Sequence, residues 1–168
     1  MQKIGFGGSC HWCTEAVFQS FRGVVKVDQG WIASTGDHAA FSEAVVVTFD
    51  PTVISLETLI AIHLNSHSCT SVHQLREKYR SSVYSFNAPQ AAAAKRAIAV
   101  LQTEFNEPII TEILPLSEFK LNDEQYLNYY YSDPRRPFCE NIVGPKLEAL
   151  RKRFGKQMIS DDQSDDEE

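Results

Sequence analysis

Nowhere in the chain do 18 apolar residues run together, so no transmembrane helix is expected. The opening residues, MQKIGFGGSC, lack the apolar core of a secretory signal, and export is not expected. No internal repeat is visible, which argues against a solenoid. Cysteine is scarce, four in 168 residues, too few for a disulfide-stapled secreted scaffold. A chain this long can bury a core without staples. Positive charge is not in excess either. The formal net charge is −6, and the last nine residues, SDDQSDDEE, carry six acids and no base. Without them the count is 16 acids against 16 bases, so residues 1–159 are neutral and offer no basic footprint for nucleic acid.

What is present fits one globular domain: 43% hydrophobic and 23% charged residues. The expected organisation is a single domain over 1–156 and an acidic, disordered tail over 157–168. The basic stretch KLEALRKRFGK before it reads as a solvated helix face. A reducing, cytoplasmic setting is expected, with no membrane partner.

Periodicity and punctuation give a coarse map. Lys3–Phe6 is a short strand running into GGSC. Cys13–Phe21 is a helix with Ala16, Val17 and Phe21 at helical spacing. Val24–Ala33 and the β-branched Glu43–Phe49 are strands around a polar loop. Ser55 caps a helix built on Leu56, Leu59, Ile60 and Leu64, and Asn87 caps one built on Ala94, Ala97, Ile98, Leu101 and Phe105. Between them Asn65–Lys78 reads as loop and Arg80–Phe86 as strand. Ile109–Leu114 is a further strand, Asn122–Tyr131 a tyrosine-rich helical stretch and Ile142–Phe154 a last amphipathic segment. The order β-α-β-β-α-β-α-β-α predicts an α+β fold, a mixed β-sheet with packed helices in a two-layer sandwich.

The sharpest local signal is Cys10-x-x-Cys13 between a strand and a helix. Backbone N–H groups left free at a helix start favour an anion, which predicts a lowered pKa and a nucleophilic thiolate at Cys10. Gly7 and Gly8 let the chain turn and leave room for a substrate. On these residues alone three readings stand: a thioredoxin-like dithiol, a zinc site completed by His67, Cys69 or Cys139, or a purely structural pair. GFGG lacks the remaining residues of a phosphate loop.

Taken together, GFGGSCHWCTEAVFQSFRGV, QGWIA, EAVVVTFDPTVISLETLI, KYRSSVY, PIITEILPLSEF and YYSDPRRPFCENIVGPKLEALRKRF resemble, in order, the peptide methionine sulfoxide reductase A family. The resemblance covers roughly residues 3–154. It implies a ferredoxin-like sandwich of that family's type and thiol-dependent reduction of methionine S-sulfoxide, free or in peptides. It implies Cys10 as nucleophile and Trp12 as wall of the methyl pocket. It further implies Glu43 as the acid sharing a proton with the sulfoxide oxygen, Tyr79 as a hydrogen-bond donor to that oxygen, and Cys139 as a recycling cysteine. A thioredoxin-like donor would restore the thiols, and no cofactor or metal is implied. The carboxyl is expected to stay protonated in an apolar pocket. Attack would leave Cys10 as a sulfenic acid, which a second thiol resolves to a disulfide. Cys139, on a Pro-flanked loop, is expected to resolve first, with Cys13 as a second relay and Cys69 as a bystander. A monomer is expected.

The sequence also departs from the family. His11 stands where the family has Phe, and Ser9 where it has Gly. A pocket tyrosine before Glu43 has no counterpart, Gln74 replaces an aspartate, and Tyr126 replaces a histidine. These changes predict a more polar pocket and an altered substrate preference, with His11 able to pack as a flat ring or to act on the thiol or the oxygen. Two other classes fit the same residues: a diverged, non-catalytic binding or redox-sensing module, and a general dithiol oxidoreductase.

Overall fold

The computed structural model describes residues 1–72 and 78–159. In chain order the elements are β1 (Gln2–Gly7), α1 (His11–Gln19), β2 (Val24–Ala33), β3 (Ser42–Phe49), α2 (Leu56–Asn65), β4 (Ser82–Ser85), α3 (Ala88–Leu101), β5 (Glu112–Pro115), β6 (Glu118–Leu121), α4 (Tyr129–Ser132) and α5 (Gly144–Phe154). A π-helical turn, Cys139–Val143, leads into α5. The six strands form one sheet in the order β5-β4-β1-β3-β2-β6. Only β4 and β5 run parallel; the other pairings are antiparallel. This is the expected mixed sheet with packed helices, and β2 pairs directly with β3.

Alternation sorts the strand residues between two faces. Ile4, Phe6, Val45, Val47, Phe49 and Val83 meet Ala16, Val17, Phe18, Leu59, Ile60, Ala94, Ala97, Leu147, Leu150 and Phe154 in the main core. Helices α1, α2, α3 and α5 therefore cover one face. The opposite face carries a smaller cluster of Ile32, Ala44, Val46 and Tyr84, partly covered by Leu114, Leu116 and Phe119. Ser55 and Asn87 cap α2 and α3 as expected, each accepting a hydrogen bond from the N–H three residues on.

Three expectations need correction. Strand β6 has no counterpart in the sequence map: it is four residues long, and with Glu118, Lys120 and Leu121 exposed only Phe119 packs. The tyrosine-rich stretch 122–131 is not one helix. It forms a single 3-10 turn, Glu124–Tyr126, and the one-turn α4. Asn128 takes a left-handed conformation between them, with φ 55°. Residues 157–159, expected in the tail, belong to the folded body. Met158 is buried and bridges to Phe21, and Ile159 N–H donates to the Ser20 carbonyl. Gln74 and the acidic end, 160–168, lie outside the described residues.

Gly30 lets β6 approach closely. It sits in β2 between β3 and β6, and a Cβ there would drive into the Lys120 carbonyl of β6. Gly30→Ala should force β6 away and cost on the order of 1–3 kcal/mol, as overpacking does. The expected reading is a lower urea midpoint; an unchanged midpoint would show that β6 yields freely.

Candidate active site

The chain leaves β1 through Gly8, whose φ of +144° suits glycine, and whose missing side chain leaves space for the His67 ring. Cys10 is then the N-cap of α1, and its carbonyl accepts from Cys13 N and Thr14 N at 3.1 Å each. No side chain of its own caps this helix. The carboxyl of Glu43 does so from β3: Oε1 accepts the His11 N–H at 3.2 Å. An acid is thus seated at the positive end of α1, one residue from the Cys10 sulfur.

The two sulfurs form a pair. Cys10 is half-buried and Cys13 buried, and their thiols hydrogen-bond each other. The Cys13 thiol is lowered to about 7, first by the hydrogen bond from Cys10 and then, against its burial, by the Lys146 ammonium. The Cys10 thiol is raised, by its hydrogen bond to Cys13, by burial and by the neighbouring Cys13 charge. This reverses the expectation of a resting thiolate at the helix entrance. The first cause is the hydrogen bond between the two thiols, which raises Cys10 and lowers Cys13; burial pushes Cys10 up further, and the Lys146 ammonium favours charge on Cys13. The two thiols titrate as one unit, with Cys13 drawn down and Cys10 pushed up.

The surroundings of Glu43 also differ from the expected apolar hollow. The side chain is buried, yet Lys78 Nζ lies 3.5 Å from Oε2 and His11 Nε2 lies 3.4 Å from Oε1. His11 Nδ1 donates to the Gly30 carbonyl at 2.8 Å, which turns Nε2 toward Glu43. The ring meets Trp31 edge-on at 5.1 Å.

Cys10, Cys13 and Tyr79 line one open hollow of about 370 Å³, together with His67, Phe138 and Lys146. A larger depression, about 770 Å³, lies between Met1–Lys3 and the starts of α2 and α3 and is lined by no cysteine or histidine. Glu43, expected to share one pocket with Cys10, is not among the residues lining the smaller one; its carboxyl is held at the start of α1 and next to Lys78, the neighbour of Tyr79. Trp12 is absent from its lining. The indole stacks on Tyr129 at 4.2 Å and 13° and meets Phe138 edge-on at 5.6 Å, so it backs the residue that does line it. Tyr129 is fixed by Glu15. That buried carboxyl accepts from Gln29 Nε2 at 2.9 Å, Asn128 N at 2.9 Å and Tyr129 N at 3.0 Å. Gln29 Oε1 in turn accepts from Asn122 Nδ2 at 2.6 Å.

Cys139 is not on a loop. It opens the π-helical turn and is fully buried. Burial pushes its thiol up, Arg136 pulls it down, and the charge on Cys13 raises it further. Cys13 therefore has Cys10 as its hydrogen-bond partner on one side and Cys139 within electrostatic reach on the other. Cys69 is buried in the main core. Among the described residues no group of three His, Cys, Asp or Glu could hold a metal. His67 Nδ1 donates to the His63 carbonyl at 2.6 Å and Nε2 is 2.7 Å from Ser81 Oγ. Sequence reasoning missed Lys146 and Phe138, far from Cys10 along the chain yet lining the same hollow, and Lys78, which pairs with Glu43.

A thiol pair that titrates as one unit, opening on a hollow with a tyrosine and backed by a carboxyl group, is built for two-electron sulfur chemistry. That places the protein among the thiol-dependent oxidoreductases. Comparison with known proteins sharpens the class. The model of the peptide methionine sulfoxide reductase family matches residues 2–158. The peptide methionine sulfoxide reductase MsrA of Deinococcus radiodurans is 36% identical over 169 residues, covering 91% of this chain and 82% of that protein. Among solved structures, reduced Mxr1 from Saccharomyces cerevisiae matches with a TM-score of 0.71 and 20% identity, over 82% of this chain and 88% of that one. Mxr1 in complex with Trx2 matches with a TM-score of 0.61 and 21% identity, over 74% of this chain and 82% of that one. The chain belongs to the peptide methionine sulfoxide reductase family and is an enzyme that reduces methionine sulfoxide with thiols. No helix among the described residues is long and apolar enough to cross a membrane.

Two outcomes test this geometry. Thiol alkylation followed against pH should show a thiolate appearing near pH 7 and quenched below it, because the Cys13 thiol is lowered to about 7. In Cys13→Ser that early step should vanish. Cys10, freed of the hydrogen bond and charge that raise it, should then ionise closer to the ordinary thiol range; survival of the early step would assign the charge to Cys10 instead. Glu15→Ala leaves three donors without their acceptor and should cost about 1–3 kcal/mol in denaturant melts.

Proposed function

We propose that this chain reduces the S epimer of methionine sulfoxide with Cys10 as nucleophile, Glu43 as proton donor and Tyr79 as hydrogen-bond donor to the sulfoxide oxygen. The observation that carries the reading is the juxtaposition of the Cys10–Cys13 pair and Tyr79 in one hollow, with the Glu43 carboxyl at the first N–H of the same helix.

Each step is assigned to a residue. The proton on Cys10 passes to Cys13 along their hydrogen bond, leaving the thiolate on Cys10. Its lone pair attacks the sulfoxide sulfur while Glu43, with His11 Nε2 at 3.4 Å from its Oε1, protonates the oxygen. The hydroxyl oxygen then passes to the Cys10 sulfur as the original S–O bond and the transient S–S bond both break; methionine leaves with the electron pair, and Cys10 is left as a sulfenic acid. The Cys13 sulfur then attacks Cys10, a disulfide forms and water departs. Cys139 exchanges with that disulfide in turn, and a thioredoxin-like donor reduces the result. Cys13 takes the first resolving step because it already touches Cys10, whereas Cys139 is fully buried. Trp12 supports the apolar wall through Phe138. The protein acts as a single reductase domain, as a monomer, in the cytoplasm.

The test is turnover of methionine-S-sulfoxide with dithiothreitol. Cys10→Ser should abolish it, and Glu43→Gln should lower kcat by about 10²–10³-fold, the usual cost of one group stabilising a developing charge. Cys139→Ser should keep dithiothreitol-driven turnover and lose most of the thioredoxin-driven rate. Wild-type turnover no greater than that of Cys10→Ser would defeat the reading.

A further inference from the structure

Lys146 is the one lysine, arginine, aspartate or glutamate lining the hollow beside Cys10, among the described residues. It is the third residue of α5 and half-buried. Leu147, Leu150 and Phe154 hold that helix against the main core. Lys146 pairs with no carboxyl group among the described residues, whereas Lys78 is taken by Glu43 and Lys26 by Asp28. Its ammonium faces the site: the charge is felt at the Cys13 sulfur. No acid shares the lining, which otherwise consists of small polar groups, Tyr79, His67, Phe138 and Ile142.

A methionine sulfoxide whose sulfur reaches the Cys10 sulfur places its Cα only three carbons farther along the side chain, inside the same hollow. What hangs on that Cα differs between substrates. Free methionine sulfoxide and a chain ending in it carry a carboxylate there; an internal residue carries a neutral amide. An ammonium without a carboxyl partner, half-withdrawn from water, discriminates between the two by charge-assisted hydrogen bonding.

We propose that Lys146 binds the α-carboxylate of the substrate, so that this enzyme favours free or C-terminal methionine sulfoxide over internal residues. The proposal rests on the reductase reading above and deepens it.

The experiment compares kcat/KM for three S-sulfoxides: free methionine sulfoxide, its N-acetyl derivative and its N-acetyl amide. The wild type should prefer the N-acetyl acid to the amide by about tenfold, and added salt should erode that preference by screening. In Lys146→Met the acid-to-amide ratio should fall close to one, and Lys146→Arg should restore most of it. Lys146→Gln provides a polar variant of similar length should the Met protein fold poorly. Equal losses in the free and acetylated acids assign the carboxylate of either source; a loss in one alone assigns that source. A ratio unchanged in both Met and Gln variants overturns the proposal. So does an equal fall for acid and amide, which would make Lys146 a support of the thiol pair only. Inactivity of the wild type on all three would instead count against the reductase reading.

Discussion

The hydrogen bond from the His11 amide to the Glu43 carboxyl ties the site together. A helix that starts inside a protein must find acceptors for its first N–H groups, and α1 begins against a central strand, away from bulk water. β3 supplies the acceptor from the strand position opposite Trp31. With that carboxyl in place, its neighbours fall into position. The imidazole of His11 folds over it and locks onto Gly30, Lys78 approaches from the loop side, and the sulfur at the helix start acquires an acid as its neighbour. One contact thus sets both the helix entrance and the place of the carboxyl beside it.

The same contact shapes the sulfur electrostatics. A lone cysteine at a free helix start would be a ready thiolate. Here the Glu43 carboxyl takes the first N–H of α1, and the hydrogen bond between the thiols favours charge one turn along on Cys13, where α5 brings a cation. Two adjacent thiolates repel, so the pair keeps a single proton near neutrality. Cys10 thus rests in contact with a thiol that ionises more readily than itself.

Much of the frame is legible in the chain. Ser55 and Asn87 announce their helices, alternation marks β3, and the ordered match of SCHWC, Glu43, KYRSSVY and PFC points to one family. What escapes has a physical cause. β6 is an edge strand of four residues, exposed at Glu118 and Lys120, and it exists because β2 needs a partner beside Gly30. Residues 122–131 look helical by composition, yet the buried Glu15 takes the Asn128 and Tyr129 amides and breaks the run at a left-handed residue. The order of ionisation of Cys10 and Cys13 depends on Lys146, and no local pattern reports a cation 133 positions away. His11, read from sequence as a flat ring or a polar actor, is both: it packs on Trp31 and sits beside Glu43.

The burial of Cys139 in a π-helical turn has a kinetic consequence. On the proposed mechanism a protein-sized reductant draws on Cys139, a sulfur with no exposed surface, so the segment carrying Arg136 to Val143 would have to open before electrons pass. Such turns are looser than an α-helix and are natural places for that opening. Regeneration then saturates: beyond a certain donor concentration, the tempo of the catalytic cycle is that of the breathing turn and no longer that of encounter.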